Sequence, residues 1–164
     1  WDSIFKRDII ENEGIQFFSE RDVYSEDLLF KLMFMTHAKK IAFCTEAVYL
    51  YRVNDTSFTH RIDVSVLKRI VNLYNEVCIL FEDVLKDYNL KRRIINRTFF
   101  TLRFNINKIS KTRDAKDFYR ILLNDQEIMR VIDLYQPTNL KNIVVYYSLK
   151  WKLIRVFEIL SKIN

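Results

Sequence analysis

The apolar positions of this chain follow two regimes that change near Asp63. Beyond it, Leu67, Ile70, Tyr74, Val77, Phe81, Val84 and Tyr88 step by 3, 4, 3, 4, 3 and 4. That is the spacing of one long amphipathic helix with a near-heptad face. Ile95, Phe99, Leu102, Ile106 and Ile109 repeat the spacing and predict a second helix. Shorter helices are expected at about 115–123 and 125–135, and Pro137 breaks the chain. Residues 140–163 read as a last helix, with Leu149, Leu153, Val156, Leu160 and Ile163 on one stripe, widened by Trp151, Ile154 and Phe157. Together these segments predict a helical bundle over 64–164.

Before Asp63 the pattern is mixed. Residues 3–12 read as a helix stopped by Gly14, followed by a short extended piece at 15–18 and the polar loop SERDVY. From Glu26 to about Lys39, Leu28, Leu29, Leu32, Met33 and Met35 crowd densely enough to predict a helix buried on most sides. IAFCTEAVYLYRV (41–53) is rich in β-branched and aromatic residues and predicts two short strands meeting near Thr45-Glu46. The expected fold class is mainly α. A short first domain over 1–63, with helices and a small β element, precedes an α-helical domain over 64–164.

Composition narrows the function classes. One glycine and one proline argue against an all-β sandwich and any glycine-rich phosphate loop. There is no GxSxG, P-loop or HExxH, and no two aspartates lie two apart. No apolar run reaches the ~18 residues of a membrane span, and the N-terminus lacks a signal-peptide pattern. The chain begins at Trp1, which reads as an excised fragment. Cys44 and Cys78 have no metal-ligand spacing and make no disulfide framework, so a reducing, cytoplasmic setting is expected.

Charge is divided as sharply as hydropathy. Residues 1–63 hold 8 Lys and Arg against 11 Asp and Glu, while residues 64–164 hold 19 against 10. Residues 91–113 carry eight positive charges and no acid, and Lys150, Lys152, Arg155 and Lys162 accompany the apolar tail. A basic amphipathic helix with Trp and Phe suits an anionic membrane surface, on the inner face of the cell membrane. The plainer alternative is that the stripes pack against one another and leave the lysines in water. A nucleic-acid-binding module is the competing class, but no recognition motif accompanies the charge. The face from Leu67 to Tyr88 also permits a homodimer.

YSEDLLF at 24–30 sets Glu26 and Asp27 at the mouth of a hydrophobic helix. Ser25 is the expected cap, and acids in a first turn sit well against the helix dipole. A carboxylate kept ionised there can equally serve as a general base. These residues alone leave both readings open. His37, inside the helix, reads as structural rather than catalytic.

Taken in order, the segments FKRDIIENEGIQF, EDLLF, AKKIAF, VYLYR and NDTSFTH resemble the C-terminal portion of the GT-A catalytic domain in family 2 glycosyltransferases of bacterial capsule and exopolysaccharide assembly. The likeness covers about residues 1–60. It implies that Asp27 is the general base, taking a proton from an acceptor sugar hydroxyl as that oxygen attacks a nucleotide sugar with inversion. Glu26 would orient acceptor or backbone. Arg52 and Ser57 match the element that contacts the donor diphosphate, with a surface ion pair as the alternative for Arg52. His60 matches a metal ligand of some relatives, with an exposed loop histidine as the alternative. The implied partners are a nucleotide sugar and a saccharide or lipid-linked acceptor. The implied cofactor, Mn or Mg in the full-length enzyme, belongs to a donor-binding half that is missing here. The fragment alone is therefore expected to transfer no sugar. The alternative function is a non-catalytic basic helical module.

Overall fold

A computed structural model describes residues 3–46, 49–50, 65–109, 115–153, 156 and 159. The chain is mainly α-helical and forms two compact units, Trp1–Arg61 and Ile62–Asn164. Seven α-helices and no strand occur among the described residues.

The first unit holds α1 (Arg7–Asn12) and α2 (Glu26–His37). Helix α1 stops at Gly14, whose φ of 61° lies in the left-handed region. There the Gly14 amide donates to the Glu11 carbonyl (3.4 Å) and the Ile15 amide to the Ile10 carbonyl (3.0 Å). This is a Schellman ending, and it carries Ile15 into the core. Helix α2 is anchored by aromatic rings. Phe30 stacks on Phe17 with centroids 4.0 Å apart, and Phe5 meets Phe30 and Phe34 edge-on at 5.2 and 5.0 Å. Only Leu29 and Phe30 of α2 are buried. The expected enclosure on most sides is not met, because one short helix and a loop cannot cover more than one face.

The expected β element is not shown. Residues 41–46 and 49–50 are not part of a strand, and the rest of 41–53 lies outside the described residues. A strand exists only when a neighbour takes its backbone N–H and C=O groups. A helix satisfies them by itself.

The second unit is built on α3 (Ser65–Leu80), α4 (Tyr88–Ile109), α5 (Ala115–Asn124), α6 (Gln126–Asp133) and α7 (Leu140–Lys150). Helix α6 lies at its centre, packing on α3, α4, α5 and α7 through Ile128, Val131 and Ile132. Phe99, Leu102, Ile106 and Ile109 of α4 are buried, as their spacing predicts, while Ile95 at the start of the same stripe is only half-buried. Each such side chain contributes about 1.5–3 kcal/mol relative to exposure. Phe99 stacks on Tyr135 with centroids 3.8 Å apart.

Two predicted helices are interrupted. The face from Leu67 is buried only as far as Val77, then α3 ends at Leu80 and a 3₁₀ turn spans Val84–Lys86. Val84 and Tyr88 are exposed. The Asp87 carboxylate accepts from the Asn89 and Leu90 amides (2.7 and 3.1 Å) and so starts α4 afresh. The tail helix stops at Lys150, and Leu153 beyond it is exposed rather than part of a continuous buried stripe.

Candidate functional site

Glu26 and Asp27 occupy the first turn of α2, both half-buried. Ser25 does not cap them. Its backbone is left-handed (φ 56°, ψ 58°), so its side chain makes no cap hydrogen bond, while its carbonyl accepts from the Leu28 and Leu29 amides (3.0 and 3.3 Å). A non-glycine residue held in that region costs on the order of 1–3 kcal/mol and marks a site constrained by its surroundings. The acid pair therefore follows a sharp turn directly. Among the described residues neither carboxylate has a hydrogen-bond or ion-pair partner, so both are open to a ligand.

Behind the pair, Phe30 and its ring contacts hold the second turn of α2. At the far end the His37 imidazole Nδ1 lies 3.2 Å from a Glu13 carboxylate oxygen, joining the end of α2 to the end of α1. His37 is exposed and lies three turns from the acids. Arg52, Ser57 and His60 lie outside the described residues. Among the described residues no three His, Cys, Asp or Glu side chains gather as a ligand set.

The second unit holds other polar features. An open depression of about 430 Å³ is lined by Cys78, Glu82, Leu85, Lys86, Tyr88 and Lys91. Beside it Tyr74 is pushed up to about 12, chiefly by burial and then by its hydrogen bond with Cys78, so its phenol stays protonated and is no general base. Arg103 Nη1 donates to the buried Asn142 Oδ1 at 2.8 Å, tying α4 to α7. The Asn142 amide in turn donates to Asn139 Oδ1 (2.9 Å), which caps α7. Lys150 is held above its ordinary value by hydrogen bonding to Tyr146 and then to Asp133.

One surface feature is not among the expectations from the sequence. Leu140, Val144, Tyr147 and Trp151 are exposed and follow one another at helical spacing along α7, opposite its buried residues. A test for a second 4, 3, 4 stripe within 140–151 finds it in the sequence. No family model, curated protein or solved structure matches the chain.

Proposed function

We propose that this chain is the C-terminal part of an inverting family 2 glycosyltransferase, with Asp27 as general base. In the reaction, the Asp27 carboxylate takes the proton of an acceptor hydroxyl while that oxygen bonds to the anomeric carbon of a nucleotide sugar. The nucleotide diphosphate leaves from the opposite face with the bonding electron pair. Asp27 lies in the first turn of α2, at its N-terminal end. Glu26, adjacent, orients the acceptor.

One observation carries this reading: a segment patterned for burial stands in water. Phe43 is 90% exposed and Leu50 93% exposed, with Ile41 and Ile4 also uncovered. Apolar residues spaced for a strand make sense beside further strands, as the resemblance implies for a donor-binding half. The half-buried acid pair at the start of α2, with no partner among the described residues, is compatible with the same reading.

The test measures sugar transfer by the whole natural polypeptide containing this chain, with nucleotide sugars, Mn or Mg, and saccharide or lipid-linked acceptors. Asp27→Asn is expected to lower turnover about 10²–10⁴-fold with helicity unchanged. Glu26→Gln should cost far less. Full turnover by a folded Asp27→Asn protein removes the base, and no transfer by the whole polypeptide removes the class. The 164-residue chain alone is expected to give no product.

A further inference from the structure

Helix α7 is amphipathic twice over. Its inner face buries Asn142, Val145, Tyr146, Ser148 and Leu149 against the bundle. Its outer face carries Leu140, 76% exposed, then Val144, Tyr147 and, at the C-cap, Trp151, 63% exposed. At 1.5 Å per residue this second stripe runs about 17 Å. It is not the stripe that the tail periodicity predicts, since Leu149 of that stripe is only 2% exposed and cannot reach a partner.

The surroundings of the stripe restrict what can cover it. Residues 140–153 contain Lys141, Lys150 and Lys152 and no acid. Helix α4, with six basic residues and no acid, meets the opposite, inner face of α7 through Arg103 and the buried Asn142. Aromatic contacts link the two helices. Phe100, itself exposed, meets Tyr135 at 6.0 Å; Tyr135 meets Tyr146 at 6.2 Å; Tyr146 meets Tyr147 at 5.1 Å; and Tyr147 meets Trp151 at 4.7 Å. A second copy is a poor occupant, because a two-fold contact through this face would set the lysines of 140–153 against themselves with no acid in that segment to pair them. A nucleic acid would neutralise the charge, but bases stack on rings and gain little from Leu140 and Val144. An interface that is apolar within and anionic at its surface matches both properties, with Tyr and Trp at headgroup level. No helix among the described residues is long and apolar enough to cross a membrane, so contact would be in the plane of the surface.

We infer that the outer face of α7, Leu140–Val144–Tyr147–Trp151 with Lys141 and Lys152, docks on an anionic lipid surface, the aliphatic and aromatic side chains entering the acyl boundary. Lipid docking does not depend on the transferase reading, because it uses none of the residues assigned to catalysis.

The full chain is tested by co-sedimentation with phosphatidylcholine vesicles, with and without phosphatidylserine, at low and high salt. The chain has two tryptophans, so a Trp1→Phe background leaves Trp151 as the reporter. Binding to the anionic vesicles is expected, weakened by salt, with a blue shift of Trp151 emission and quenching by brominated acyl chains. Tyr147→Ser with Val144→Ser should lower partitioning about tenfold or more, equivalent to ~1.4 kcal/mol. Lys141→Glu with Lys152→Glu should remove the preference for phosphatidylserine. All four side chains are exposed, and circular dichroism checks that each variant keeps its helicity. No vesicle binding, binding unchanged in the folded variants, or a chain that dimerises or binds an oligonucleotide through this face instead would overturn the inference.

Discussion

The two compact units use apolar residues to opposite effect. Among the described residues the first buries four apolar side chains, Ile15, Val23, Leu29 and Phe30, and the second buries twenty-one. The first unit has no shortage of such residues: Ile4, Phe17, Ile41, Phe43 and Leu50 are simply exposed. The difference lies in what each pattern requires. A 3–4 stripe is completed by a helix that satisfies its own backbone and needs only another helix to lie on. A β-branched, aromatic run needs a neighbouring strand before its side chains can be covered. The second unit finds its partners within the chain, whereas the first presents its own to the outside.

Core truncation should expose this contrast most strongly. Leu102 is fully buried in α4, and Leu102→Ala should cost about 2–5 kcal/mol, through lost transfer energy and the cavity left behind. Phe43→Ala, at an exposed position, should stay within about 0.5 kcal/mol. Urea unfolding followed by helical circular dichroism measures both. Equal losses would mean that Phe43 has a covering partner and that the contrast is false.

Alkaline pH sharpens the same comparison. Burial raises Tyr74 from 10.0 to about 12, and it raises Tyr135 as well. A folded-state value above the unfolded one gives stability that is fully present below pH 10 and lost as the pH rises toward 12, because the unfolded chain gives up the proton first. The second unit should therefore weaken across that window. Tyr74→Phe should flatten the decline, as read from unfolding midpoints at stepped pH. An unchanged slope would assign the alkaline loss to other groups.

Helix starts provide a smaller contrast. Asp125 accepts from the Glu127 and Ile128 amides (3.0 and 3.1 Å) and caps α6, whereas Ser25 makes no such bond at α2. Asp125→Ala should cost about 1 kcal/mol. Ser25→Ala should cost only a few tenths. If Ser25→Ala cost as much as the aspartate change, its hydroxyl would have a role in the turn before the acid pair.

How far the sequence could be read follows from the same physics. The buried set of α4 is legible because periodicity and tertiary packing agree. The spacing from Leu67 to Tyr88 misleads after Val77, since apolar residues keep their register by coincidence while Asp87 restarts the helix. A cap search at Asp87 would have found the break. Ser25 has the chemistry of a cap but not the backbone for it, a local choice imposed by the loop before α2. Of the candidate site, Asp27 and Glu26 are found together at a helix start, while Arg52, Ser57 and His60 fall outside the described residues. The outer stripe of α7 is hard to see in the sequence because Leu149, Leu153 and Val156 offer a competing apolar face at the same spacing.

The finest comparison is between two helix ends of the same design. At α7 the Lys152 amide donates to the Leu149 carbonyl (3.1 Å) and the Leu153 amide to the Ser148 carbonyl (2.8 Å), repeating the hydrogen bonds that end α1 at Gly14. Lys152 has φ 57° and Gly14 φ 61°, so a lysine holds the position a glycine holds in the first unit. No glycine marks this stop, which is why the tail reads as one long helix. A Cβ added at Gly14 meets nothing within 4 Å, so Gly14→Ala would suffer only the left-handed backbone penalty, about 1–2 kcal/mol for an L-residue. Lys152→Gly relieves that penalty but gives the unfolded chain more freedom, worth about 0.4–1 kcal/mol in the opposite sense. The same entropic term, with its sign reversed, offsets part of the loss in Gly14→Ala, so the gain at α7 and the loss at α1 should be similar in size and opposite in sign. Thermal unfolding of both variants decides the matter. A Lys152→Gly protein less stable than the parent would mean that the lysine side chain, and not the local backbone, holds that turn.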